Sequence, residues 1–207
     1  MIKLDLKKEF KAYYKAGNLP ELVELPPAQY ISVEGKGDPS GEQFAANIQL
    51  LYPVAYAIKF ACKAAGNDFV VPPLEGLWWY DESEYGEVRM ENAPVEIPRS
   101  DWQYRLLIRM PEFVNEALLK EAIETVKIKK GIAGLDELEW FELDEGKCLQ
   151  MMHTGPFDAE PESLEKLIGY CLKHDLKKNG LHHEIYLSDF RKTAPEKLKT
   201  ILREPVR

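Results

Sequence analysis

Apolar and polar positions alternate along this chain first with a period of two, then with the period of a helix, and the cycle occurs twice. Ala28 to Glu34 reads as a strand, and Gly35 and Gly37 release it into the turn Asp38-Pro39-Ser40-Gly41. Ser40 and Gln43 stand at capping-box spacing and predict the start of a helix. From Glu42 to about Ala65, Phe44, Ile48, Leu51, Ala55, Ile58 and Cys62 recur at steps of four and three, which places them on one buried stripe. Pro53 has no N–H for the Gln49 carbonyl, so a kink rather than a break is predicted. Tyr52 and Tyr56 lie one turn apart on a neighbouring face and either lean over a cavity or cover the helix shoulder. Leu74 to Asp81 is the next strand, with Trp78 and Tyr80 on one face and Leu77 and Trp79 on the other. After an acidic, turn-rich stretch from Glu82 to Pro98, Trp102 to Met110 alternates cleanly. Pro111 and Glu112 then open a helix to about Lys129, closed by Gly131.

The second half repeats the first. Lys147 to Gly155 is a strand and Pro156-Phe157-Asp158 a turn; a helix follows with Leu164, Leu167, Ile168, Cys171 and Leu172, then strands at Leu181–Ser188 and Lys197–Val206. In this alignment Gly155 corresponds to Gly35, His153 to Val33, Tyr186 to Tyr80 and Glu184 to Trp78. The expected fold is α+β: two tandem β-α-β-β modules in one domain over residues 1–207. A strap (1–27) precedes the first module (28–111), and a connecting helix and linker (112–140) precede the second (141–207). Residues 4–15 suit one short amphipathic helix in the strap. Two such modules leave a groove on their pseudo-twofold axis, where ligands most often bind.

The stretch Leu-His-His-Glu-Ile-Tyr-Leu-Ser (181–188) sets an acid into a strand. Alternation puts Glu184 with Tyr186 and Ser188 on one face and His183, Ile185 and Leu187 on an apolar one. Glu184 is either an acid in the groove or a glutamate on an exposed strand face. His182, His183 and Glu184 are contiguous and therefore point to opposite faces, so no metal site is expected. His153 either reaches the groove or is a satisfied core histidine. Cys62 and Cys171 lie on apolar helical stripes and read as packing residues. Gly35, Gly37 and Gly41 do not make a phosphate-cradling pattern, and no cofactor is expected.

With a formal net charge of −8, the chain lacks the basic surplus of a general nucleic-acid binder, which leaves small molecules as the expected partners. Cys62, Cys148 and Cys171 form no paired framework, and the opening MIKLDLKKEF has no apolar signal run, so a cytoplasmic location is expected. No apolar stretch approaches the roughly 20 residues a spanning helix needs. Nothing marks a partner surface or an oligomeric state.

LDLKKEFKAYY, VEGKGDPSGEQF, LWWYDE and above all HHEIYLSDFRKTAPEKLKTILREPV resemble the GyrI-like small-molecule-binding family over essentially the whole chain. The resemblance implies two strand-helix-strand-strand units of the SHS2 type, forming a curved antiparallel sheet with a central apolar cleft. It also implies a strand glutamate that contacts cationic aromatic ligands, which maps onto Glu184, and a following tyrosine, which maps onto Tyr186. The family's transcription regulators carry a helix-turn-helix domain that has no counterpart here, so direct DNA binding is not expected. Some stand-alone members hydrolyse cyclopropanoid alkylating agents. That implies catalytic roles for Glu184 and Tyr186, with Trp78, Tyr80, Tyr52, Tyr56 and His153 as candidate ligand contacts. The alternatives are sequestering or sensing without catalysis and a protein-interaction or inhibitor module.

Overall fold

Two four-residue helices, α1 (Leu6–Glu9) and α2 (Lys11–Tyr14), take the place of the single strap helix, because Phe10 between them leaves helical geometry. The computed structural model describes residues 3–86, 88 and 92–207, so part of the acidic stretch 82–98 lies outside the described residues. The chain continues through β1 (Glu21–Leu25), β2 (Ala28–Lys36), α3 (Glu42–Ala64), β3 (Glu75–Trp79), α4 (Glu82–Tyr85), α5 (Ala93–Glu96), β4 (Gln103–Met110) and α6 (Glu116–Lys130). The remainder is β5 (Glu139–Leu143), β6 (Gly146–Thr154), α7 (Glu160–Lys173), β7 (His182–Tyr186) and β8 (Lys199–Pro205). Among the described residues no helix is long and apolar enough to cross a membrane.

All eight strands form one antiparallel sheet in the order β1-β6-β8-β7-β3-β4-β2-β5. That order forces the sheet to curl. Only Pro26 and Pro27 link β1 to β2, and three peptide steps reach no further than about 11 Å. Six strand spacings laid flat would separate the two strands by about 29 Å. Asp144 and Glu145 impose the same closure on β5 and β6. β5 is absent from the sequence-based reading: Glu-Trp-Phe-Glu-Leu does not alternate, and its exposure is that of an edge strand.

Two local expectations fail for identifiable reasons. Ser40 does not cap α3, because its amide and hydroxyl both bond to Asp38 Oδ1 (2.8 and 2.5 Å); Gly41 is the cap residue, and the helix runs unbroken through Pro53. α6 starts at Glu116 rather than Pro111. Gln29 Nε2 donates to the carbonyls of Pro111 (2.7 Å) and Val114 (2.8 Å) and holds that segment as a turn, after which the Asn115 side chain accepts from the Leu118 amide (3.0 Å).

The two halves correspond, but two residues away from the register read in the sequence. Gly37 N–H bonds to the Trp102 carbonyl (2.8 Å) and Gly155 N–H to the Leu198 carbonyl (3.1 Å), so Gly155 matches Gly37. Ladder pairing then matches His153 with Gly35, Tyr186 with Trp78, Glu184 with Gly76 and His183 with Glu75. The pseudo-twofold axis therefore passes between Gly76 and Glu184, which face each other across β3 and β7. Burial at Phe44, Asn47, Ile48 and Leu51 in α3 recurs at Glu160, Ser163, Leu164 and Leu167 in α7, which sets Glu160 where Phe44 stands in the first half.

α3 and α6 cover β2 and β4 through Ile31, Val33, Leu106, Ile108 and Met110, and α7 covers Leu149, Met151 and Leu202. The opposite face lies under the strap, where Leu6, Tyr13 and Tyr14 pack with Cys148, Ile185 and Ile201. This is the face expected to be apolar, and at Ile185 and Leu187 it is, whereas His183 opens a buried polar network beside them. His183 bonds to Glu145 Oε1 (2.9 Å) and Glu75 Oε2 (3.0 Å). Arg203 donates to Glu145 Oε2 (3.0 Å), Gln150 Oε1 (3.1 Å) and the Tyr13 carbonyl (2.6 Å), while the Tyr13 hydroxyl donates to Glu75. Burial alone would raise the Glu145 carboxyl, but His183 and Arg203 outweigh it and hold it down at about 2.

Candidate functional site

On the helix-covered face, the axis is bridged by two matching side chains. Trp78 Nε1 meets the Tyr186 hydroxyl oxygen at 3.0 Å. An indole N–H only donates, so Tyr186 accepts here and its own proton points to another acceptor, with the Glu184 carboxylate beside it. Both groups lie across Gly76, where an added Cβ would stand 2.9 Å from Trp78 Nε1 and 3.0 Å from Tyr186 Oη. The missing side chain is what lets them meet. Burial, then the Glu184 carboxylate, pushes the Tyr186 hydroxyl well above the ordinary tyrosine range and keeps that proton in place.

Glu184 lies two residues back on the same face, its side chain 12% exposed. It accepts from His182 Nε2 (3.3 Å), whose other ring nitrogen binds Glu204, a side chain 2% exposed. Burial works against a charge on His182, yet Glu204 and Glu184 prevail and lift it to about 10. Glu160, at the start of α7 and 8% exposed, completes the patch; burial and then Glu184 push its carboxyl well up, which favours the neutral acid. Oε1 of Glu160 and Oε2 of Glu204 are buried without a partner. Among the described residues no three such side chains are arranged to share a metal ion.

A cleft of about 720 Å³ opens between α3 and the segment after β7, a size usual for small-molecule sites. Tyr186, Tyr52, Tyr56, Phe190 and Leu74 line it, with Lys7, Arg191 and Lys192 also on its walls and Arg191 5.6 Å over the Tyr52 ring. Phe157, 39% exposed, meets Tyr186 (5.9 Å) and Phe190 (6.0 Å) edge-on, and Phe190 meets Tyr186 at 6.1 Å. Tyr56, 47% exposed, also faces a second groove of about 690 Å³ between α3 and α6.

Glu184 is not one of the residues lining this cleft, which it neighbours through Tyr186, and the remaining candidates fall elsewhere. Trp78 is buried with one face stacked on Phe44 (5.8 Å), and Tyr80 lies beyond the end of β3, its hydroxyl accepting from the Val88 amide (3.0 Å). His153 is buried with both ring nitrogens engaged, by Ser163 Oγ (3.0 Å) and the Pro156 carbonyl (3.1 Å). Cys148 is buried, and its thiol is pushed up to about 12 by burial and by Glu145. Sequence reasoning missed Glu160, Glu204, Phe157 and Phe190. Only His182 carried a signal, since its spacing of two from Glu184 places both on one strand face.

A crystal structure of an uncharacterized conserved protein from Listeria innocua is 38% identical, with 99% of this chain and 100% of that one covered at a TM-score of 0.88. A structure of a hydrolase from the same organism matches at 38% identity, the same coverage and a TM-score of 0.84. The C-terminal domain of EcmrR shares the fold at 14% identity and a TM-score of 0.53, over 91% of this chain and 96% of that one. No curated protein sequence is significantly similar to this chain. The family model for the GyrI-like small molecule binding domain matches residues 19–207, the whole chain beyond the strap helices. Matched over this span and sharing its fold with full-length relatives, the chain belongs to the GyrI-like small-molecule-binding family.

Proposed function

We propose that the protein captures flat, hydrophobic, electrophilic molecules beside Tyr186 and hydrolyses cyclopropanoid xenobiotics among them. The observation that carries this reading is a shielded carboxylate, Glu184, beside a hydroxyl on the same strand face, Tyr186, that accepts from Trp78 and so keeps its own proton as a donor. A carboxylate in such a place orients one water rather than a hydration shell and takes its proton as attack proceeds. The water oxygen bonds to the ring methylene and the strained carbon–carbon bond breaks. Its electron pair passes through the conjugated system to the carbonyl oxygen, which Tyr186 stabilises by hydrogen bonding. Glu184 takes the water's proton and passes it to solvent, the oxygen that gained the electron pair takes up one proton, and the released product is the substrate plus one water. Phe157, Phe190 and Tyr52 supply the flat surfaces. The 38% and 36% identical hydrolases from Listeria innocua, matched over their full lengths, support a hydrolytic reading.

The second reading is capture without turnover, with Glu184 as counter-ion to a planar cation. Lys7, Arg191 and Lys192 outnumber Asp189 on the cleft walls, and although Asp189 pairs with Arg191 and Lys192, the remaining positive balance favours a neutral electrophile. Incubating an electrophilic cyclopropane with wild type and with Glu184→Gln, and following ring-opened product, separates the two. Turnover by wild type and a loss of roughly 10²- to 10⁴-fold in the variant are expected. Binding without product would leave a sequestering protein. A variant unchanged in both binding and rate would remove Glu184 from the site.

A further inference from the structure

Two carboxylates face the two nitrogens of one imidazole: Glu204 from β8 at Nδ1 and Glu184 from β7 at Nε2, the latter at 3.3 Å. A neutral imidazole has a single N–H, so serving both acceptors requires a proton on each nitrogen. Glu204 lies at the inner end of the chain, 2% exposed against 12% for Glu184, so the clamp is anchored in the interior and its working end faces outward. The ring is held by pairing as well. Arg203 and His183 are directly opposed in the ladder, which puts Glu204 and His182 side by side on the same face.

We propose that His182, clamped by Glu204, is the positioning residue of the site: it holds one oxygen of Glu184 and leaves the other for water or ligand. This rests on Glu184 acting in the proposed function. It adds a relay, Glu204–His182–Glu184, that runs from the interior under α7 to the face shared with Tyr186. The charged groups around the ring are Glu184 on β7, Glu204 on β8 and Glu160 on α7, with the Tyr186 hydroxyl beside them. A cation at this point sets the two outer acids apart. It stands by Glu184 through a hydrogen bond, whereas Glu160 has no partner at Oε1, and burial and the Glu184 carboxylate push its carboxyl up although His182 pulls it down.

The test combines ring-nitrogen NMR of ¹⁵N-histidine-labelled protein with steady-state kinetics on an electrophilic cyclopropane. In wild type both His182 nitrogens should stay protonated through pH 8, with the ring titrating at about 10. Glu204→Gln should lower that titration more than Glu184→Gln does. His182→Gln should lower kcat on the order of tenfold while KM stays within about twofold, since a hydrogen bond to a charged group is lost but the ring-binding surfaces are not. A His182 that titrates near neutrality, carboxylate variants that leave its titration in place, or a kcat unmoved in His182→Gln would each overturn the proposal. Should wild type open no ring, the hydrolase reading fails by itself, and the NMR arm still decides whether the relay exists.

Discussion

The two faces of β3 and β7 carry similar amounts of charge and put it to opposite uses. Under the strap, Glu75, His183, Glu145 and Arg203 are buried and bond to one another and to the strap backbone, while the guanidinium of Arg109 lies over the Phe10 and Tyr13 rings with its buried Nη1 lacking a hydrogen-bond partner. Under α7, Glu184, His182, Glu204 and Glu160 are joined less completely, with two buried carboxylate oxygens left unpaired beside rings that reach the surface. On the strap face the unpartnered group is a cation held over aromatic rings, whereas under α7 the unpartnered atoms are carboxylate oxygens. Matching positions make the contrast sharper, since Gly76 stands where Glu184 does and Phe44 where Glu160 does. One module contributes space and rings, and the other contributes acid.

The largest effect should come from breaking the network under the strap. Arg203→Met strands Glu145 and the Tyr13 carbonyl in the interior and should cost about 3–5 kcal/mol by chemical denaturation; a loss under 1 kcal/mol would mean the network does not hold the strap. Gly76→Ala strikes the other face by sterics alone. Its methyl would press on Trp78 Nε1 and Tyr186 Oη, so a loss of roughly 1–3 kcal/mol is expected, together with slower turnover because Tyr186 moves. Stability unchanged in that variant would show that the Trp78–Tyr186 bridge is loose.

Acid and base should then separate the faces by pH. Glu145 sits at about 2 against an ordinary 4.5, so its contribution is whole above pH 4.5 and drains away as pH falls toward 2. His182 sits at about 10 against 6.5, so its contribution is whole below pH 6.5 and is lost as pH rises through 10. Denaturation midpoints from pH 2 to 10 should fall at both ends. Glu145→Gln should flatten only the acid limb and His182→Gln only the alkaline one, and the same limb lost in both variants would merge the two networks into one.

Most of the architecture was legible because it rests on local period. The α3 stripe, the β4 alternation and the repeated module are properties of neighbouring residues, and each survives in the structure. The two-residue error between the halves arose from aligning Gly155 with Gly35, when the glycine that shares its left-handed backbone and its hydrogen bond is Gly37. β5 escaped because an edge strand exposed at both glutamates has no alternation to read. The His183 network was illegible for another reason. Tyr13, Glu75, Glu145 and Arg203 come from separate parts of the chain, and only the folded register joins them. Glu160 carries no signal in the sequence, because the first turn of a helix favours glutamate whether buried or not.

The exchanged edges have a further consequence. β1 precedes β2 in the chain yet completes the sheet beside β6, and β5 precedes β6 yet completes it beside β2. Neither half therefore owns a finished set of backbone partners, and a polypeptide cut at the α6 linker would yield two fragments that each need the other's leading strand. Expressed singly, either fragment would meet that need by seeking another copy of itself. The molecule has the architecture of an arm-swapped homodimer sealed into one polypeptide, and that sealing is what allows the matching positions of Gly76 and Glu184 to differ.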